Sequence, residues 1–262
     1  MSTAPVPRIE IDGHAATAGQ LAVPALVNYG HFTAMQVSSQ RVRGLDLHLA
    51  RLDTATRELF GSSLDGGRVR DHIRHALGPA ASEASVRVSV FCPEGEDTVS
   101  IMVAVRPPAR LPDSAQALRS VSYQRPLPHI KHAGTFGQIH HRRQAGRDGF
   151  DDALLTGPGG IVSEGGSTNI GFSDGTSVIW PEAPALHGIT MQLLEQRLPG
   201  AGLPTRRAAV RLADLASFRG AFVTNSLGAA PVGRVDNLAL PIDKDLMKTV
   251  TRVYESVPWD PI

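Results

Sequence analysis

The spacing of apolar residues changes several times along the chain, and each change marks a predicted element. Residues 26–37 are dense in aromatic and β-branched side chains and read as a strand region. A turn over 40–44 leads into 45–60, where Leu45, Leu49, Leu52, Ala55 and Leu59 recur at helical spacing and Gly61 supplies a stop. A shorter helix is expected over 71–77. Strands are expected over 86–91, which alternates as Val, Arg, Val, Ser, Val, and over 99–105. Residues 107–117 are rich in proline and alanine, lack periodicity and read as a linker.

Beyond the linker, 121–131 reads as a strand running up to a lysine, followed by a helix over 132–146. Short strands over 152–155, 160–163 and 169–172 are separated by glycine-rich turns. A helix over 188–198, a strand over 221–224 and a terminal helix over 243–256 complete the pattern. There is no internal repeat. The expected fold class is α+β, with a smaller N-terminal domain over 1–117 and a larger C-terminal domain over 118–262.

Composition narrows the functions open to such a fold. Hydrophobic residues are 42% and charged residues 19% of the 262, as in a globular protein with a substantial core. A net charge of +1 gives no electrostatic case for nucleic acid or an anionic membrane. No run of about 18 apolar residues offers a membrane span, and residues 1–10 do not read as a signal peptide. The single cysteine, Cys92, suits a reducing compartment, so a cytoplasmic location is expected. Of the 26 basic residues only Lys131, Lys244 and Lys248 are lysines.

Lys131 follows Pro128, His129 and Ile130. A lysine at the end of an apolar strand is desolvated, which favours the neutral amine that attacks carbonyls; a snorkelling lysine is the ordinary alternative. Glu164 lies between a short apolar segment and Gly165, Gly166, Ser167, Thr168 and Asn169. A carboxylate there can approach a flat ligand and keep a pyridine nitrogen protonated, or be a solvated turn residue. Gly188, Ile189 and Thr190 open a helix, where free N–H groups and a hydroxyl make an anion site or an ordinary cap. Thr224, Asn225 and Ser226 end a strand and offer further phosphate donors, or simply form a turn. Arg51 lies one turn from His48; its planar fork suits a phosphate, or it is a solvated helix arginine. His129, His132, His140 and His141 lack a cysteine or a fixed acid, so no metal site is expected. No dinucleotide-binding glycine motif or nucleophile-elbow serine is present.

Taken in order, these motifs resemble the class IV aminotransferase family: His48 and Arg51 on a helix, then Lys131, Glu164 to Asn169, Gly188-Ile189-Thr190, and the polar loop before Pro231-Val232. The family comprises branched-chain and D-amino-acid aminotransferases and aminodeoxychorismate lyases. The resemblance runs from about Tyr29 to Val232 and is densest between Lys131 and Met191. It implies a two-domain, fold-type IV pyridoxal-phosphate enzyme whose larger domain has a mostly antiparallel sheet or barrel core. It further implies pyridoxal 5′-phosphate held as a Schiff base by Lys131, which shuttles the substrate proton, and paired through its ring nitrogen with Glu164. Arg51, Ile189, Thr190, Asn225 and Ser226 would hold the phosphate. An amino donor, a 2-oxo acid acceptor and a homodimer follow from the same resemblance. Lyase chemistry on the same fold, or cofactor binding without catalysis, are the competing functions. Phe32 and Phe136 stand where many relatives carry a tyrosine hydroxyl, and Met191 where many carry arginine.

Overall fold

The structure is a computed structural model that describes residues 7–79 and 82–262. It divides into two compact units. The first takes the described residues up to Ala109 with Ile130–Gly134 and Pro258–Ile262, and the second takes Arg110–His129 and Thr135–Val257. The sequence-based boundary falls between 117 and 118. Residues 110–117 instead lie in the second unit, where Leu111 N–H donates to the Leu227 carbonyl. The segment carrying Lys131 lies in the first unit.

In chain order the strands of the first unit are β1 (Arg8–Ile11), β2 (His14–Ala15), β3 (His31–Ser38), β4 (Arg41–Arg43), β5 (Glu83–Phe91) and β6 (Ser100–Arg106), and its helices are α1 (Ala18–Leu26), α2 (Leu45–Phe60) and α3 (Gly66–Leu77). The second unit contains β7 (Gln116–Ser122), α4 (Phe136–Arg147), β8 (Asp152–Thr156), β9 (Val162–Gly165), β10 (Asn169–Ser173), β11 (Val178–Pro181) and α5 (Ile189–Arg197). It continues with β12 (Thr205–Ala208), β13 (Gly220–Asn225), β14 (Gly228–Val235), β15 (Leu238–Ala239) and α6 (Lys244–Glu255). The last strand, β16 (Trp259–Pro261), returns to the first unit.

The first unit is built on a seven-stranded antiparallel sheet in the order β16-β4-β3-β5-β6-β1-β2. Strand alternation gives it two unlike faces. Met35, Val37, Val86, Val88, Val90, Ile101 and Val103 face one way and pack with Leu45, Leu52, Val69 and Ile73 of α2 and α3. Phe32, Gln36, Arg87 and Ser89 alternate with that apolar set. Ser39 and Gln40 join β3 to β4 with φ values of 48° and 60°, the left-handed pair that a two-residue hairpin turn requires. The expected turn over 40–44 is therefore tighter, and it delivers β4 before α2 begins.

Helix α2 has the expected bounds, with Gly61 closing it in the left-handed conformation. Its buried face differs from the expected one in that His48 and Thr56 join Leu45, Leu52 and Ala55 inside. Residues 26–30 are not strand. Apolar α1 extends to Leu26 from a Thr17–Gln20 capping box, and Asn28 turns the chain at φ 56° before β3. The expected strand over 121–131 is also corrected, because it ends at Ser122. Pro126 and Pro128 carry no N–H for a ladder, and Leu127 between them has φ 44°. Helix α4 accordingly starts at Phe136 rather than at 132.

The second unit holds a nine-stranded mixed sheet, β12-β11-β10-β13-β14-β7-β8-β9, with β15 on β14. Three pairings are parallel, namely β11 with β12, β14 with β7 and β7 with β8; the others are antiparallel. One core gathers Leu118, Ile170, Phe172, Val223 and Val232. Another packs Met191 and Leu194 of α5 and Val250 of α6 around Trp180 and Phe222. The β9–β10 turn and the start of α5 thereby become fixed points of one framework.

Candidate active site

The first unit gathers His48, Arg51 and Lys131. Lys131 sits in an extended segment after the two prolines and is held by its backbone to β3. Phe32 N–H donates to the Lys131 carbonyl at 2.9 Å, and Ala133 N–H donates to the Gly30 carbonyl at 2.7 Å. Gly30 packs closely against β5, since a Cβ there would lie 2.6 Å from the Val90 carbonyl oxygen. The Lys131 ammonium nitrogen stands 4.9 Å from the centre of the Phe32 ring, and the Arg87 guanidinium stacks on that ring at 3.5 Å. Phe32 is thus an apolar platform for two cations, which desolvates both groups along the ring.

His48 is buried and shares a 2.6 Å hydrogen bond with Thr33 through Nδ1. Burial, then the positive charges of Arg51 and Lys131, push its pKa well below the usual histidine range. It is therefore a neutral imidazole, and Arg51 beside it carries the charge. Burial lowers Arg51 to about 10, so it remains protonated at neutral pH. Its Nη2 is buried with no protein partner among the described residues. An unsatisfied buried guanidinium N–H is costly, and an anionic ligand would satisfy it.

These histidines carry a pH signature. Burial also lowers His31, whose Nε2 meets Thr56, to about 4. A base with a depressed native pKa binds fewer protons than in the unfolded chain. Its stabilising contribution is full above pH ~6.5 and is lost as pH falls through the window down to about 4. Urea denaturation should therefore give a lower unfolding free energy at pH 5 than at pH 7.5, and His31→Gln should flatten that slope.

In the second unit Glu164 is the penultimate residue of β9, with its side chain 6% exposed. Arg125, also 6% exposed, donates from Nη1 to Glu164 Oε1 at 3.2 Å. Leu186 N–H donates to Glu164 Oε2 at 3.3 Å. Below the carboxylate, buried Asp152 accepts from Ser167 through its backbone N–H and hydroxyl, and so fixes the β9–β10 turn. Burial raises the Asp152 pKa.

Helix α5 opens at Gly188 without a side-chain cap, and Ile189 and Thr190 are buried. The first-turn N–H groups have no intrahelical acceptor and face where the dipole is positive, an arrangement that binds anions. The Thr190 hydroxyl donates to the Asn225 carbonyl at 2.7 Å. Asn225 uses its own amide locally, accepting from Leu227 N–H at 2.8 Å and donating to Ser167 O at 3.4 Å. It serves the strand-end turn in this structure, beside the half-buried Ser226.

Among the expected residues, Lys131 and Arg51 therefore lie in the first unit. Glu164, Ile189, Thr190, Asn225 and Ser226 lie in the second. The sequence reading missed Arg87 and Arg125. Arg87 looked like a solvated strand position, because alternation alone does not reveal that this face carries Phe32. Arg125 precedes a proline and has no periodic signal. Phe136 is 79% exposed and stacks on His140. The four histidines form no metal-binding group with acids or cysteine among the described residues.

The amino-transferase class IV family model matches residues 30–235, so the chain belongs to that family. A probable branched-chain-amino-acid aminotransferase from Rickettsia felis is 32% identical over 103 residues, which cover 39% of this chain and 35% of that protein. A hypothetical aminotransferase from Mycobacterium tuberculosis, solved in its PLP-bound form, superposes with a TM-score of 0.83 at 20% identity, covering 95% of this chain and 98% of that one. A putative 4-amino-4-deoxychorismate lyase from Legionella pneumophila gives 0.80 at 18% identity over 90% of this chain and 93% of that one. At these identities the superpositions establish the shared fold.

Proposed function

We propose that the chain is a pyridoxal-phosphate-dependent aminotransferase that moves an amino group from an amino acid or amine to a 2-oxo acid, with Lys131 as the cofactor-attachment residue. The observation that carries the reading is the buried Arg51 Nη2 without a protein partner among the described residues, which fits a phosphate oxygen. In the second unit the start of α5, which has no side-chain cap, is by itself suited to an anion. Glu164 fits a ring nitrogen as a buried carboxylate near the end of β9 that already accepts from Arg125 and from Leu186 N–H.

Bound pyridoxal phosphate supplies a reactive carbonyl carbon and a ring that accepts electrons. The residues of the chain supply the rest. Lys131 provides the amine for attachment, and its Nζ then takes and returns the proton of the substrate α-carbon. Glu164 would pair with the protonated ring nitrogen, and Arg125 stabilises the carboxylate charge. Arg51, the N–H groups of Ile189 and Thr190, and Ser226 would be the phosphate ligands that the class IV resemblance implies, while Asn225 shapes its own loop. Arg87 shares the Phe32 platform with Lys131 and suits the carboxylate of an amino acid. Among the described residues no helix is long and apolar enough to cross a membrane. The reading carries with it a homodimer in the cytoplasm.

A panel of amino donors incubated with pyruvate or 2-oxoglutarate tests the reaction. Amino transfer should require both partners. Pyruvate release from an aminated chorismate without any acceptor would favour the lyase function. Cofactor binding with neither reaction would favour a binding protein.

A further inference from the structure

The backbone of Leu186 is held on both its N–H and its carbonyl by residues flanking the β9–β10 turn. Its N–H donates to Glu164 Oε2 at 3.3 Å, and its carbonyl accepts from Asn169 Nδ2 at 2.6 Å. Asn169 is 7% exposed, at the first position of β10 opposite Thr224 of β13, so its backbone belongs to the rigid sheet. Two residues after Leu186 comes Gly188, the residue from which α5 springs. Gly188 has φ −64° and ψ 144°, an extended conformation open to any residue. Backbone freedom does not explain the glycine. A Cβ at this position would run into Asn169 Oδ1.

From this we propose that Asn169 is a positioning residue for anion binding at α5. Its carboxamide lies flat against Gly188, holds the Leu186 carbonyl, and aims the free N–H groups of the helix start. Glu164 holds the N–H of the same residue, so the ring-nitrogen acid and the phosphate-binding turn share one junction. The proposal rests on the reading of Ile189 and Thr190 as phosphate-binding. It adds a residue that fixes their direction without touching the ligand. It also explains why residue 188 is glycine.

The test is a double-mutant cycle on the full chain with Asn169→Ala, Gly188→Ala and the double variant. Dissociation constants are measured by absorbance and fluorescence for pyridoxal 5′-phosphate, and for pyridoxal, which lacks the phosphate. Hydrogen exchange of the Leu186 amide is followed in the cofactor-free proteins. Loss of one buried hydrogen bond predicts about tenfold weaker pyridoxal phosphate binding in Asn169→Ala, with a much smaller change for pyridoxal. The Leu186 amide should exchange about tenfold faster. Gly188→Ala should behave alike, because its Cβ displaces the carboxamide. The double variant should be no worse than Asn169→Ala alone, because the added methyl then has room. General loosening would weaken both ligands equally and would overturn the proposal. So would unchanged exchange at Leu186, or a Gly188→Ala penalty that adds in full. If the wild-type chain binds neither ligand, the phosphate reading falls, and exchange at Leu186 still decides whether the clamp exists. Should Asn169→Ala not fold, Gly188→Ala supplies the same comparison.

Discussion

Replacing Lys131 with alanine is expected to lower kcat for amino transfer by at least about ten-thousand-fold while leaving the fold intact. The tolerance follows from how the residue is held. Its carbonyl accepts from Phe32 N–H, and the neighbouring Ala133 N–H reaches Gly30, so the ladder to β3 uses backbone only. The side chain lies along the Phe32 ring and fills no core cluster. Lys131→Arg separates charge from chemistry. A guanidinium keeps the positive charge beside His48 and Phe32, yet it does not lose a proton near neutral pH and so provides no nucleophile. Both variants should be inactive and should melt within a few degrees of the wild type. An active Lys131→Arg enzyme would show that only the charge matters there.

The second large effect is on stability. Arg125 and Glu164 are each 6% exposed at the side chain and face each other at 3.2 Å. Removing one partner of a buried ion pair leaves an uncompensated charge, at a cost of about 3–5 kcal/mol. Glu164→Ala and Arg125→Ala should each show a loss of that order in urea unfolding of the cofactor-free protein. A combined Arg125→Met and Glu164→Leu replacement should lose far less than the two single losses together, because no charge is left buried. Glu164 also accepts from Leu186 N–H, so its loss should disturb the start of α5 as well, weakening phosphate binding more than Arg125→Ala does. Small additive losses below about 1 kcal/mol would mean that the pair behaves as a solvated one.

Much of this architecture was legible in the sequence where periodicity and punctuation agree. Helix α2 was readable to its ends because Leu45, Leu52 and Ala55 recur on one face and Gly61 has the left-handed conformation expected of a stop. Strands β5 and β6 were readable from alternation, and α5 from its glycine and threonine. Legibility failed where the deciding factor was tertiary. Residues 26–30 have strand-like composition, yet the Thr17 cap and the left-handed Asn28 make α1 and a turn of them. The apolar approach to Lys131 looked like a strand, but two prolines deny it a ladder. His48 reads only as sharing a helical face with Arg51. Thr33 makes it internal, since a buried imidazole needs a partner and β3 provides one.

The candidate residues show the same division. Lys131, Glu164 and Thr190 stood out because scarcity of lysine, small neighbours and a helix start are all sequence signals. Arg87 and Arg125 did not, and Asn169 entered only as the end of the Glu164 motif, because their significance comes from what faces them. Arg87 meets an aromatic ring, Arg125 a buried carboxylate, and Asn169 a glycine that carries no Cβ. None of these encounters is written in local spacing.

The most direct test of the central claim is reductive trapping of the cofactor. The protein purified with pyridoxal phosphate is treated with borohydride, digested and mapped by mass spectrometry. Loss of the visible absorption band, with the reduced phosphopyridoxyl group found on Lys131, is the predicted result. A label on Lys244 or Lys248, or no label at all, would contradict the account.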